Sequence, residues 1–159
     1  MDRIDKILNH DLFLYHLGKN NAAEADRRFC RHGMVHFLDV ARIGTIIALE
    51  EGLELDREWI YAAALLHDCG KHEQYENGTP HEQASARIAP EILKDCGFDD
   101  KETDVIVTAI SRHRDLEAAK EKNLNGVLYR ADKASRACFA CDAVSYTHLR
   151  AHETTLHLV

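Results

Sequence analysis

Proline is scarce in this chain: Pro80 and Pro90 are the two in 159 residues. Apolar and polar residues nowhere alternate with the period of two that a half-buried strand needs. Both absences leave long segments free to be helical. No apolar run approaches the roughly 20 residues of a membrane span, so no membrane partner is expected. The first residues, MDRIDKILNHDL, are charged and amphipathic and lack the apolar core of a secretory signal. An excess of basic charge is missing too: 20 Lys and Arg stand against 27 Asp and Glu, a net charge of −7 with His neutral. A nucleic-acid polymer, which needs a basic face, is therefore not an expected partner. The five cysteines are odd in number. In a chain without a signal they read as reduced thiols of a cytoplasmic protein or as metal ligands, not as a disulfide framework.

Histidine is abundant, at 11 residues. The rest of the composition, 45% apolar and 30% charged, is ordinary for a globular chain. Its length supports one domain with a real core. Three of the histidines fall in a segment to set aside. Residues 143–154 read AVSYTHLRAHET, which looks like a reading-frame translation of a transposase-based sequencing adapter. The natural sequence is expected to depart from this chain near Asp142. Residues 1–142 are then one C-terminally truncated domain and 143–159 a non-native tail, and His148, His152 and His157 carry no functional information. Sequencing the source gene across codon 142 tests this.

Apolar residues recur at i, i+3, i+4 and i+7, the spacing of helices that bury one face. Helices are expected over 2–18, 22–50 (broken near Gly33), 56–68, 81–95, 100–113 and 124–137. Gly52 and Gly97 are expected helix stops, Asp56 and Asp99 N-caps. The stretch 70–80 is the expected main loop with its turn at Asn77-Gly78, and 114–123 is a helix extension or a loop. The fold class expected is all-α, a compact bundle of about six helices.

Histidines and aspartates fall on the apolar stripes of these helices. His36 aligns with Val40, Ile43 and Ile47, and His67 with Ile60 and Ala64, with Asp68 following directly. His81 opens the line of Ala84, Ile88 and Ile92; His113 ends that of Ile106, Ala109 and Ile110; Asp132 shares one with Leu128, Ala131 and Ser135. One such residue alone is best read as a satisfied core group. A buried carboxylate is costly unless paired or bound to a cation, so several converging on one core point to shared metal ions.

The combination resembles a known family. His36 stands in HFLDVAR, His67-Asp68 in ALLHDCGK and Asp132 in YRADKASR. Order and spacing are similar to those of HD-domain metal-dependent phosphohydrolases, over about Arg31 to Arg136. The resemblance implies an all-α bundle around a metal centre, with His36, His67, Asp68 and Asp132 as ligands. Family members with two metals insert two further histidines, which His81 and His113 match; Asp68 would bridge a dinuclear centre. The ligand types suit Mn, Fe, Co, Ni or Zn, with Mg also open. The implied reaction is hydrolysis of a phosphoester, in preference to a phosphoanhydride, by metal-activated hydroxide, with Asp68 and Lys71 as catalytic residues. The substrate would be a nucleotide or a related small phosphorylated metabolite. Lys71, Arg112, Arg114, Lys133 and Arg136 are candidates for holding its phosphate.

The branch that cleaves cyclic dinucleotides carries His-His-Glu and Gly-Tyr-Pro motifs. This chain reads RHRDLEAAKEKNLNG there, so the resemblance does not extend to that activity. A second reading is a non-catalytic regulatory module that binds nucleotide and metal. Finally, Cys138-Phe139-Ala140-Cys141 is a C-x-x-C after the last helix, and Cys30 precedes the His36 helix. The three thiols could form a second, structural zinc or iron–sulfur site, while ordinary burial is the simpler alternative. Cys69 and Cys96 read as packing residues.

Overall fold

The periodic stripes fold into helices joined by short turns. A computed structural model of the chain describes residues 1–140. The adapter-like segment, Cys141 and Asp142 lie outside the described residues. The helices are α1 (Asp2–Leu8), α2 (Asp11–Ala23), α3 (Met34–Glu50), α4 (Arg57–Leu66), α5 (Lys71–Asn77), α6 (His81–Asp95), α7 (Asp100–Ser111) and α8 (Leu124–Ala134). Two short 3-10 turns, Leu116–Lys120 and Cys138–Ala140, complete the described secondary structure, and it contains no strand. No helix among the described residues is long and apolar enough to cross a membrane.

Several expected boundaries stand. Gly52 and Gly97 end their helices with φ of 64° and 93°, values that suit a residue without a Cβ. Asp56 accepts a bond from the Glu58 amide, and Asp99 forms a capping box with Glu102. Others moved for local reasons. The expected helix 2–18 is two, because extended His10 breaks it and caps α2 through the Leu12 amide. The expected helix from 22 starts only at Met34. Glu24 spends both carboxylate oxygens on His32, which folds residues 24–33 into a return loop. The expected loop 70–80 holds α5, stopped by Gly78 at φ 80°.

The core lies where α3 packs on α4 and α8 and where α6 packs on α7. Phe13, Phe37, Leu65, Leu66, Ile92, Leu93, Ile106 and Ile110 are fully buried there. Close approach requires a glycine just after the His67-Asp68 pair. A Cβ on Gly70 would stand 2.7 Å from the Ala84 Cβ and 2.8 Å from the Ser85 amide nitrogen. The absence of that atom lets the turn after Asp68 press against α6, and the Gly70 amide donates to Ser85 Oγ at 3.0 Å.

Candidate metal centre

The six residues singled out from the sequence meet at helix ends. His36 stands in the first turn of α3, His67 and Asp68 follow α4, and His81 opens α6. His113 lies just beyond α7, and Asp132 stands in the last turn of α8. All six are buried. They form two groups that share Asp68: His36, His67, Asp68 and Asp132, and Asp68, His81 and His113.

The geometry divides the Asp68 carboxylate between the groups. Its Oδ2 faces His67 Nε2 at 3.2 Å and His36 Nε2 at 3.5 Å. Its Oδ1 faces His81 Nε2 at 3.2 Å and His113 Nε2 at 3.4 Å. Asp132 Oδ1 closes the first group, 3.3 Å from His36 Nε2 and 3.6 Å from His67 Nε2. The outer nitrogens are held in place. His67 Nδ1 donates to the Ala64 carbonyl at 2.7 Å and His113 Nδ1 to the Ile110 carbonyl at 2.6 Å. His81 Nδ1 lies 2.6 Å from Gln74 Oε1. With Nδ1 engaged outward, each ring turns its Nε2 inward, where the neutral form a metal binds would present a lone pair.

A cation fits this donor set. His36 Nε2, His67 Nε2, Asp68 Oδ1 and Asp132 Oδ1 are buried without a hydrogen-bond partner. Such orphans are rare in folded proteins, and a positive ion in each group would satisfy all four. Without one, the charges lean on each other. Burial opposes charge on His67, but Asp68 and Asp132 outweigh it and hold its pKa up at about 10. Burial also opposes charge on Asp68, yet His67 and the surrounding imidazoles hold it well below the carboxylate range. Asp132 is held low in the same way by His36 and His67. Burial pulls His81 down to about 3 against the attraction of Asp68.

The expected cations are placed unequally. Lys71 is buried, its Nζ 3.2 Å from His81 Nδ1, and burial lowers its pKa. Lys133 Nζ lies 3.9 Å from Asp132 Oδ2, and Arg136 donates to His32 Nε2 at 2.8 Å. Arg114 lines a small hollow with His81 and Gln74. Arg112 pairs with Asp115 at 2.8 Å and Glu121 at 2.5 Å and so braces the 3-10 turn. Cys30 and Cys138 line one cleft, but among the described residues neither joins a group of three ligands able to hold an ion. Cys141, needed for that site, lies outside them. Cys69 and Cys96 are buried, as packing residues should be.

Sequence reasoning missed a supporting layer. Buried Asn20 donates to the Asp68 carbonyl at 2.9 Å and accepts from the His72 amide at 2.8 Å. His72 stacks on His16, with ring centroids 5.1 Å apart. His32, whose Nε2 is 3.9 Å from Asp68 Oδ2, is bonded through Nδ1 to Glu24 at 2.6 Å. Burial opposes the Glu24 charge, but the bonds from His32 and Tyr75 hold its pKa down at about 2.

Comparison with known proteins gives the same frame. An uncharacterized protein of Clostridium beijerinckii is 47% identical over 144 residues, 91% of this chain and 90% of its own length. A ribonuclease Y of Mycoplasma mycoides is 30% identical over 121 residues, 76% of this chain but 26% of that enzyme. The crystal structure of a predicted HD superfamily hydrolase from an uncultured Thermotogales bacterium shares the fold. Its TM-score is 0.59 at 24% identity, over 87% of this chain and 74% of that one. The HD domain family model matches residues 33–143, a span that holds all six converging residues. The chain belongs to the HD domain family.

Proposed function

We propose that the protein is a metal-dependent phosphohydrolase that cleaves a phosphoester bond of a nucleotide or a related small phosphorylated metabolite. The observation that carries this reading is the divided Asp68 carboxylate, with one oxygen facing each ligand group. His36, His67, Asp68 and Asp132 would hold one divalent ion, and Asp68, His81 and His113 would hold a second. Imidazole and carboxylate together suit Mn, Fe, Co, Ni or Zn, and Mg is compatible with the oxygen donors. Ions held there would supply Lewis-acid polarisation of a phosphoryl oxygen and would acidify a water.

The chain's own residues supply the rest. Lys71, poorly hydrated in its buried position, donates to phosphoryl oxygens as negative charge develops on them. Arg136 in the cleft beside His36, Arg114 in the hollow beside His81 and Lys133 next to Asp132 draw an anion inward despite the net negative charge of the chain. A cleft of about 620 Å³ opens beside His36, walled by Met34, Val35 and Ala137 and edged by Asp39 and Arg136. Its size and mixed lining support a nucleoside-sized group.

The test measures metal content and phosphate release together on protein purified without chelator. Mn, Fe, Co, Ni, Zn and Mg are screened against nucleotide and phosphoester substrates, with Asp68→Ala as control. Metal-dependent release that vanishes in the control is the expected result. Metal and nucleotide binding without turnover would make this a binding module, and a folded protein that takes up no metal would remove the basis of the reading.

A further inference from the structure

Three elements outside the two ligand groups converge on the metal centre. Glu24, at the end of α2, is buried and accepts two bonds from His32, through the backbone amide and Nδ1, both at 2.6 Å. Tyr75 of α5 donates to the same carboxylate at 2.8 Å, and Arg27 donates to the Tyr75 hydroxyl at 2.9 Å. With Nδ1 donating to Glu24, the neutral His32 ring presents a lone pair at Nε2. The Arg136 guanidinium donates to that atom at 2.8 Å. One imidazole thus separates Glu24 from Arg136, and its Nε2 lies 3.9 Å from Asp68 Oδ2. Both Glu24 and His32 precede residue 33, where the family match begins.

This chain of bonds has a physical purpose. An arginine at a cleft mouth loses side-chain freedom when it grips an anion, and that loss weakens the grip. A guanidinium already anchored through one N–H keeps its remaining donors oriented, in the fork that matches phosphoryl oxygens. Arg136 lines the same cleft as His36, the space into which a phosphate on the first ion would project. A neutral anchor serves here better than a carboxylate, which would neutralise the arginine and repel the phosphate.

We propose that Arg136 binds the substrate phosphate, and that Glu24 and His32 are positioning residues that hold its guanidinium for that contact. This rests on the phosphohydrolase reading. It adds a device built from α2 and the return loop.

Inorganic phosphate is the probe, titrated calorimetrically into the metal-loaded protein, with metal content and melting temperature recorded for each variant. Arg136→Gln should weaken phosphate binding about ten- to a hundredfold, the factor carried by a charged hydrogen bond. His32→Phe should weaken it comparably with metal content unchanged, and Arg136→Gln added to it should cost less than about threefold more, because the two act as one unit. His32→Gln, which keeps an acceptor near the Nε2 position, should recover part of the loss, and Glu24→Gln should fall between wild type and His32→Phe. Additive losses from His32→Phe and Arg136→Gln, or metal lost on replacing His32, would overturn the positioning role while leaving the hydrolase intact. A wild-type protein that neither binds phosphate nor releases it from any ester would overturn both.

Discussion

Gly70→Ala is the substitution that best separates the two halves of the centre. The new methyl would stand 2.7 Å from the Ala84 Cβ and 2.8 Å from the Ser85 nitrogen. Carbon atoms settle at about 3.5 Å or beyond, so the turn and α6 must part by about 0.8 Å. The neighbours are backbone or a Cβ fixed to it, so no flexible side chain can yield. Overpacking of this kind costs about 1–3 kcal/mol, and the strained Gly70 amide bond to Ser85 Oγ adds about 1. At about 2–4 °C per kcal/mol for a chain of this size, the melting temperature should fall by roughly 5–15 °C. The functional effect should be selective. His81 starts α6 and moves with it, which opens its 3.2 Å approach to Asp68 Oδ1. His36, His67 and Asp132 sit on α3, after α4 and on α8, and stay in place. Metal analysis by mass spectrometry should therefore show the second group losing its ion first. An unchanged melting temperature with an unchanged metal content would refute the reasoning, as would equal loss from both groups.

Three further outcomes follow from the geometry. Chelation should lower the melting temperature, because the orphaned buried atoms then face each other unscreened; each ion contributes about 2.7 kcal/mol when free metal is a hundred times its Kd. A calorimetric scan with and without EDTA measures this, and identical scans would contradict a bound metal. Burial, then the charge of His72, holds the His16 pKa down at about 4, so the folded state refuses a proton that the unfolded chain takes near 6.5. Stability from this group is whole above pH 6.5 and is lost as pH falls toward 4, by up to about 1.4 kcal/mol per pH unit and roughly 3 kcal/mol in all; urea titrations at several pH values should show a shallower slope in His16→Phe, and an equal slope counts against it. Asn20→Ala leaves the Asp68 carbonyl and the His72 amide unpaired and should cost about 2–5 kcal/mol in the same titrations, against less than 1 if water replaces both bonds.

The family, the helical class and the converging six were legible along the chain because each is a local pattern. HDCGK is contiguous, and the stripes that carry His36, His113 and Asp132 repeat at helical spacing. Caps such as Asp56 and Asp99 are equally local, which is why those boundaries hold. The failures share a cause as well. Residues 24–33 leave the helix because Glu24 finds His32 eight positions on, and no periodicity announces that bond. Arg112 likewise pairs with Glu121, nine residues later, and no periodicity announces that pair either.

Sequence alone therefore determined which residues could carry the chemistry, since residue type and spacing along one helix fix which face a side chain shares. It could not determine the layer behind them. Asn20 reaches Asp68 across 48 residues and Arg136 reaches His32 across 104. Pairings of that range depend on how the helices pack, on Gly70 being bare enough to let α6 close, and on the return loop that sends His32 toward Asp68. Packing is a property of many faces at once, so only the tertiary structure decided it.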